Sequence, residues 1–191
     1  MAKNHKLIIR SFLEKQDEEL NIRKISKYSK IDYKTTYNII KDLEKEGIVI
    51  TKVFGKTKKV MLKKISHPLI FEAEFERRKN FLRNKDFLVL YKNLSELNFP
   101  FITLLFGSYV KGTTTKHSDI DLLIICEEKR EEKIQEVLDL FPLNIHPTFV
   151  SFEDFIKMLK TKEFNVVLEA VKNNIILIGI EDYYRLLENV K

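Results

Sequence analysis

The sequence predicts an α+β protein of two parts: a helical part with a β-hairpin, then a mixed β-sheet flanked by helices. Three observations predict it. Apolar residues keep helical spacing up to about residue 46, two short strands joined by a turn follow, and two apolar runs at 101–106 and 122–125 have the length of buried strands. A hydrophobic content of 44% supports a core, whereas 5 Gly and 4 Pro among 191 residues argue against disorder.

The first 66 residues are predicted to form three helices and a hairpin. A helix is expected over residues 5–13, and Asn21 and Asp32 are well placed to cap the two helices that follow. The third helix is predicted to run from Tyr33 to about Glu46, where Gly47 ends it. The hairpin after it consists of Ile48–Phe54, the turn Gly55-Lys56-Thr57 and Lys58–Leu62.

This order of elements is typical of a winged helix-turn-helix, which the segment Asn21–Leu62 resembles. The resemblance includes the run Leu-Glu-Lys-Glu-Gly-Ile-Val at the end of the third helix. It implies a DNA-binding domain over residues 1–66, in which the third helix reads bases and the hairpin, or wing, contacts phosphates. Because winged helices often bind paired half-sites as dimers, a homodimer is the default expectation.

The charge distribution agrees with a DNA-binding front part. Residues 1–66 hold 17 Lys and Arg against 8 Asp and Glu, a net charge of +9, whereas the remainder carries −3. Basic and polar side chains at helical spacing form a stripe along the third helix. The expected DNA contacts are Tyr33, Lys34, Thr35, Tyr37, Asn38 and Lys41 on the helix and Lys56, Lys58 and Lys59 on the wing. The alternative is a winged helix used for protein–protein contact.

The second domain is expected to start at His67-Pro68 and to cover residues 67–191. Its first part, 67–98, is predicted to be linking and packing helices. The motif strands follow, and the apolar periodicity after them alternates between helix and strand. The predicted order is a helix at 127–139, a strand at 143–150, a helix opened by a capping box at Ser151, a helix at 163–173, a strand at 175–180 and a helix at 181–190.

One stretch carries the chemistry. Gly107-Ser108 breaks the first apolar strand, and a glycine turn lets a backbone approach a ligand closely and present free N–H groups to an anion. Asp119 and Asp121 precede the second strand, and residues two apart share one face of a strand. Two adjacent carboxylates repel each other unless a cation lies between them. Carboxylates beside a phosphate-binding turn suit Mg²⁺ with a nucleoside triphosphate.

A Gly-Ser pair followed after ten residues by Asp-x-Asp resembles the signature of the DNA polymerase beta-like nucleotidyltransferases, in particular their minimal, single-domain branch. The resemblance also includes Gly112 and Ser118. It implies that Gly107, Ser108, Gly112 and Ser118 bind the nucleotide. It implies further that Asp119 and Asp121 are catalytic and hold Mg²⁺ or Mn²⁺, with ATP as the expected substrate.

The third predicted strand departs from that family, which usually carries a third carboxylate there. By alternation Asn144, His146 and Thr148 share a face, and none is an acid. Asn144 or His146 is expected to occupy the position. His146 is the candidate proton acceptor because its unperturbed pKa lies near neutrality, and a structural role beside Pro147 is the alternative. Lys111, Lys116 and Arg78 are equally open as electrostatic helpers.

Two functions remain open at this point. The first is a DNA-bound nucleotidyltransferase that transfers AMP, or another nucleoside monophosphate, to a protein or other hydroxyl. The resemblance makes a toxin RNase in a toxin–antitoxin pair a plausible acceptor. The second is a transcriptional regulator whose degenerate nucleotidyltransferase domain senses nucleotides or dimerises. No membrane span or signal peptide is evident in the sequence, so a cytoplasmic location is expected.

Overall fold

The computed structural model describes residues 2–55, 57–113, 115 and 118–190. Lys56 and Lys116, both named above, lie outside the described residues. The chain divides into two compact units, Met1–Arg77 and Arg78–Lys191. None of the helices in the described part is both long and apolar enough to cross a membrane.

The N-terminal unit consists of three helices and an antiparallel hairpin, followed by the start of a fourth helix. Its elements are α1 (Ala2–Glu14), α2 (Ile22–Ser29), α3 (Tyr33–Lys45), β1 (Val49–Phe54), β2 (Thr57–Leu62) and α4 (Pro68–Phe81). Asn21 accepts a hydrogen bond from the Lys24 backbone N–H, and Asp32 accepts one from that of Thr35. Both predicted caps are therefore confirmed.

The division between the units falls inside α4, after Arg77, whereas the sequence suggested a boundary after residue 66. Helix α4 contains a buried ion pair, and Arg77 of this pair also contacts α1. The Arg77 Nε atom donates to Glu74 over 2.7 Å, and its Nη1 atom donates to the Leu13 backbone carbonyl over 3.0 Å. Lys6 of α1 adds ion pairs with Glu72 and Glu76 at 3.4 and 3.3 Å. The part of α4 up to Arg77 therefore belongs to the N-terminal unit.

The C-terminal unit is built on a mixed four-stranded sheet in the order β5-β4-β3-β6. Strands β3 and β4 are antiparallel, β5 lies parallel to β4, and β6 lies antiparallel to β3. The strands are β3 (Ile102–Phe106), β4 (Ile120–Ile125), β5 (Ile145–Val150) and β6 (Ile175–Ile178). The helices are α5 (Lys85–Ser95), α6 (Ser108–Lys111), α7 (Glu131–Asp139), α8 (Phe152–Lys160), α9 (Val166–Lys172) and α10 (Ile180–Glu188).

The packing of apolar residues in the sheet determines which face of β4 carries Asp121. Leu122 and Ile124 pack in one cluster with Leu90 of α5 and Ile134 of α7, and all four side chains are fully buried. Because side chains alternate along a strand, Asp121 faces the other side of the sheet. Helix α9 contacts β3 and β4. The burial of the apolar residues of β4 therefore fixes the orientation of the carboxylate.

Two sequence predictions after β5 need correction. Helix α9 begins at Val166, not at 163, because Asn165 is its N-cap and its amide also donates to the backbone carbonyl of Met158. Strand β6 ends at Ile178, and Ile180 starts α10. Gly179 separates the two elements with a φ of +77°, a left-handed conformation that glycine adopts without strain.

Candidate active site

The turn after β3 packs directly against the Asp-x-Asp motif. Gly107 has a φ of +71° and a ψ of −145°, and α6 begins at Ser108. A Cβ atom built on Gly107 would collide with the Asp121 carboxylate and lie 3.0 Å from its Cγ atom. Glycine is therefore required here both by the backbone conformation and by the approach of the carboxylate.

The strand register brings the remaining site residues to the same end of the sheet. Asp121 is the partner of Phe106 on β3 and of His146 on β5. Asp119 lies just before β4, and the Ile120 backbone N–H donates to the Asn144 carbonyl over 2.8 Å. The end of β3 and the beginnings of β4 and β5 therefore meet where the chain turns at Gly107.

Asn144, just before β5, and His146 on β5 lie beside Asp119. The Asn144 side-chain amide donates to one carboxylate oxygen of Asp119, and His146 Nδ1 lies 3.7 Å from the other. The His146 and Asp119 side chains are 59% and 38% exposed, so a ligand from solvent can reach both. Thr148 pairs with Leu123 further along the strand. The two residues that stand where an acid was expected thus lie beside the first aspartate.

Burial of Asp121 is the main cause of a raised pKa of this carboxyl. His146 opposes the shift, the charges of Asp119 and Glu169 add to it, and Lys111 opposes it. The environment of Asp121 therefore favours its ionised form less than water does. A cation between the two aspartates would stabilise the ionised form.

The donor set fits a metal that takes few protein ligands. Within the described residues, no three His, Cys, Asp or Glu side chains are placed to hold a metal ion together. Asp119 and Asp121 offer carboxylate oxygens only. Mg²⁺ is usually bound by one or two carboxylates and completes its shell with water and substrate phosphates.

The acidic residue Glu169 on α9 was not identified from the sequence. Its Oε1 atom lies 3.1 Å from Nζ of Lys111, the last residue of α6. It is one of 28 acidic residues, far along the chain from the motif, and no spacing rule singles it out. Of the other candidate helpers, Arg78 donates to the Leu177 backbone carbonyl and lies over the Tyr91 ring.

Gly112 and Ser118 delimit the loop between α6 and β4. Gly112 caps α6 with a φ of +68°. The Ser118 hydroxyl accepts a hydrogen bond from the Thr115 backbone N–H over 2.8 Å. The Tyr109 hydroxyl donates to the Ser118 backbone carbonyl over 3.4 Å. Both residues therefore shape the path of the chain from the turn to the aspartates.

The region around this site matches one known family. Residues 102–178 match the family model described as nucleotidyltransferase domain. The matched segment runs from β3 to β6, contains Gly107, Asp119, Asp121 and Glu169, and is less than half of the chain. No curated protein and no solved structure matches the chain. The comparison therefore supports a nucleotidyltransferase domain built on this sheet. The matched residues all lie in the C-terminal unit, so the comparison does not bear on the N-terminal unit.

The N-terminal unit presents a second polar surface. Lys34, Asn38, Lys41 and Lys45 are exposed along α3, and the Lys41 ammonium lies 4.8 Å from the centre of the Tyr37 ring. Tyr33 is 55% exposed at the start of the helix. On the hairpin, Lys58 is exposed, whereas Lys59 pairs with Glu19 at 2.6 Å. The described part of the predicted DNA-binding surface is therefore basic, although Lys59 of the hairpin forms an ion pair with Glu19.

Replacing Gly107 with alanine should damage the site more than replacing Gly112. Gly112 lies in the left-handed helical region, where alanine costs about 1–2 kcal/mol, whereas Gly107, with a ψ of −145°, lies near a region that is adopted almost only by glycine. Only Gly107→Ala also drives a methyl group into the Asp121 carboxylate, because none of the described residues has an atom within 4 Å of a Cβ built on Gly112. We expect Gly107→Ala to lower the free energy of unfolding by about 3 kcal/mol and Gly112→Ala by about 1 kcal/mol.

Equilibrium unfolding in urea measures the difference between the two variants. Equal losses in the free energy of unfolding would show that the closeness of the Asp121 carboxylate adds no cost to a side chain at position 107.

Proposed function

We propose that the protein binds a magnesium-bound nucleoside triphosphate at Gly107–Asp121 and transfers a nucleoside monophosphate to a hydroxyl acceptor, while its N-terminal unit binds DNA. One observation carries the transferase proposal: the Gly107 backbone packs against Asp121 where Asp119 and Asp121 converge. This arrangement lies in the segment that matches the nucleotidyltransferase family. ATP is the substrate we favour, with Mn²⁺ as a substitute for Mg²⁺.

Each residue has a distinct role in the proposed reaction. The Gly107-Ser108 turn holds phosphate oxygens, and Gly112 and Ser118 also bind the nucleotide. Asp119 and Asp121 hold the metal, which neutralises charge as the bond to pyrophosphate breaks. The acceptor oxygen bonds to the α-phosphorus, pyrophosphate leaves, and the hydroxyl proton passes to a base. His146 is our candidate for that base because Asn144 cannot accept a proton in water.

The proposal of DNA binding rests on charge and fold together. Three helices followed by a hairpin, with exposed lysines on α3, support a winged helix-turn-helix in which α3 lies in the major groove. Lysines along the helix and hairpin contact phosphates. A protein acceptor, such as a toxin RNase in a toxin–antitoxin pair, would combine nucleotidyl transfer with transcriptional control.

A second function is favoured by the contact between Asn144 and Asp119. An amide that donates to Asp119 stabilises the carboxylate without adding the negative charge that a third acid would bring to a second metal ion. The domain would then bind Mg²⁺ and a triphosphate without turnover and act as a nucleotide sensor or dimerisation platform. Tight triphosphate binding without pyrophosphate release would distinguish this function from transfer.

Loss of either aspartate should abolish nucleotide transfer. Asp119→Asn and Asp121→Asn remove carboxylates that hold the metal, and metal stabilisation of the transition state amounts to several kcal/mol. We expect Mg²⁺-dependent incorporation of label from α-³²P-ATP into the acceptor to fall by about 100-fold or more in each variant. Pyrophosphate release measured alongside checks the stoichiometry.

Asp139→Asn is the matched control because Asp139 is an exposed aspartate on α7, bound by Gln135. This variant should incorporate label into the acceptor at the rate of the unaltered protein. Labelling by the Asp119→Asn/Asp121→Asn double variant at the unaltered rate would show that the metal site lies elsewhere.

Charge reversal on α3 should weaken DNA binding. Lys34→Glu with Lys41→Glu replaces two exposed cations by anions on the proposed recognition helix. We expect affinity for duplex DNA to fall by about tenfold or more and the slope of log affinity against log salt to decrease by about 2. Fluorescence anisotropy across a salt series measures both quantities.

Lys129→Glu with Lys133→Glu makes the same change in net charge on an exposed part of the C-terminal unit and should have little effect. If the α3 variant binds DNA as well as this control does, α3 is not the DNA-reading helix.

A further inference from the structure

We infer that the C-terminal unit holds a second ligand site, a cavity that takes a small carboxylate with a compact apolar body. The cavity has a volume of about 260 Å³ and lies between α5, the end of β6 and the chain that leads into β3. Apolar side chains form most of its wall, and the Arg78 guanidinium supplies a cation. The inference goes beyond the proposed function and does not depend on nucleotide binding.

The cavity lies at the opposite end of β3 from the candidate active site. Phe101, which lines the cavity, directly precedes β3, whereas Gly107 directly follows it. A strand rises about 3.3 Å per residue, so these two residues are about 20 Å apart along the strand. A ligand in the cavity and a nucleotide beside Gly107 therefore occupy separate sites.

The apolar wall has a shape that the fold fixes. Phe99 and Phe101 line the cavity with their ring centres 5.5 Å apart. Gly179, between β6 and α10, lies so close to Phe101 that a Cβ atom built on Gly179 would be 2.9 Å from the Phe101 carbonyl oxygen. Leu94 and Phe101 are only 0% and 4% exposed. The cavity is therefore bounded by residues that core packing holds in place.

Arg78 brings a positive charge to the cavity in a fixed orientation. Its Nη1 atom donates to the Leu177 backbone carbonyl over 2.8 Å, and its guanidinium carbon lies 4.9 Å from the centre of the Tyr91 ring. Tyr91 lines the cavity as well. These two contacts limit the rotation of the side chain. Because the guanidinium is half-buried, it attracts an anion more strongly than a guanidinium in open water does.

A second arginine lies against the wall of the cavity. The Arg130 guanidinium carbon is 4.8 Å from the centre of the Phe99 ring. Two of the rings that line the cavity, those of Tyr91 and Phe99, thus each contact a guanidinium. None of the described residues that line the cavity is an acid. This charge distribution favours an anion over a neutral or cationic ligand.

The size of the cavity and the charge of Arg78 select the class of ligand. Since a water molecule occupies about 30 Å³ in the liquid, the cavity holds roughly nine non-hydrogen atoms. One guanidinium balances the charge of one carboxylate. Inorganic phosphate would fit poorly, because it has no apolar group to meet the leucine and phenylalanine side chains of the wall. The chemistry points to a monocarboxylate with an aromatic or branched aliphatic body.

Titration of the ¹⁵N-labelled full chain with benzoate, benzamide and inorganic phosphate tests the site through the chemical shifts of the backbone amides. We expect benzoate to bind about tenfold more tightly than benzamide or more, because benzamide is a neutral molecule of the same shape. Benzoate should exceed phosphate by at least about the same factor, because phosphate has no apolar body. The shift changes should centre on Leu97 and Gly179, which line the cavity.

Two variants and a control locate the benzoate. Arg78→Met removes the charge and keeps an unbranched apolar side chain, so it should weaken benzoate binding by about tenfold or more and leave benzamide binding unchanged. The matched control is Arg83→Met, because Arg83 is an exposed arginine that does not line the cavity. Ser95→Trp puts a bulky ring at an exposed position of the wall and should weaken the binding of benzoate and benzamide alike. It keeps the test decisive if Arg78→Met does not fold.

Each outcome supports or overturns the site. Benzoate binding that is weakened in Arg78→Met and Ser95→Trp and retained in Arg83→Met supports it. Equal affinities for benzoate and benzamide, or no benzoate binding at millimolar concentration, overturn it. An unchanged affinity in Ser95→Trp, or an equal loss in Arg83→Met, shows that benzoate binds elsewhere and also overturns it. Because no ATP is present, none of these results depends on nucleotide transfer.

Discussion

The site depends on one close approach, that of the Asp121 carboxylate to the backbone of Gly107. The turn can accommodate the carboxylate because glycine has no Cβ atom and tolerates a positive φ. Pairing of Phe106 with Asp121 fixes this approach through the register between β3 and β4. A shift of one residue would move Asp121 into the apolar layer, where Leu122 now packs. Core packing and the geometry of the site are therefore set by the same strand pairing.

The proximity of the carboxylates has an electrostatic consequence. Burial of Asp121 and its acidic neighbours raise the pKa of this carboxyl, and a cation between the two aspartates would lower it. Asn144 and His146 support Asp119 from β5 without adding negative charge. Lys111, held by Glu169, supplies positive charge on the side of the turn. These charges are consistent with the proposed binding of a metal ion and a triphosphate.

The sequence predicts features that depend on neighbouring residues in the chain. It does not predict contacts that depend on how distant elements pack together. The caps Asn21 and Asp32, the hairpin and the strands around the motif follow from short-range patterns and are confirmed. Glu169 could not be found because its meeting with Lys111 depends on how α9 packs on the sheet. The buried Glu74–Arg77 ion pair of α4 is likewise not revealed by periodicity. The predicted start of α9 was wrong because a helix from 163 overlooks Asn165, a favoured N-cap residue that marks the actual start.

A crystal structure with Mn²⁺ and a non-hydrolysable ATP analogue would test the central claim most directly, since the anomalous signal of Mn²⁺ locates the metal without reference to the turnover rate. We predict one Mn²⁺ bound by carboxylate oxygens of both Asp119 and Asp121 and by phosphate oxygens, with the phosphate chain beside Gly107 and Ser108. Nucleotide bound with Mn²⁺ remote from both aspartates, or no binding at this end of the sheet at saturating ligand, would contradict it.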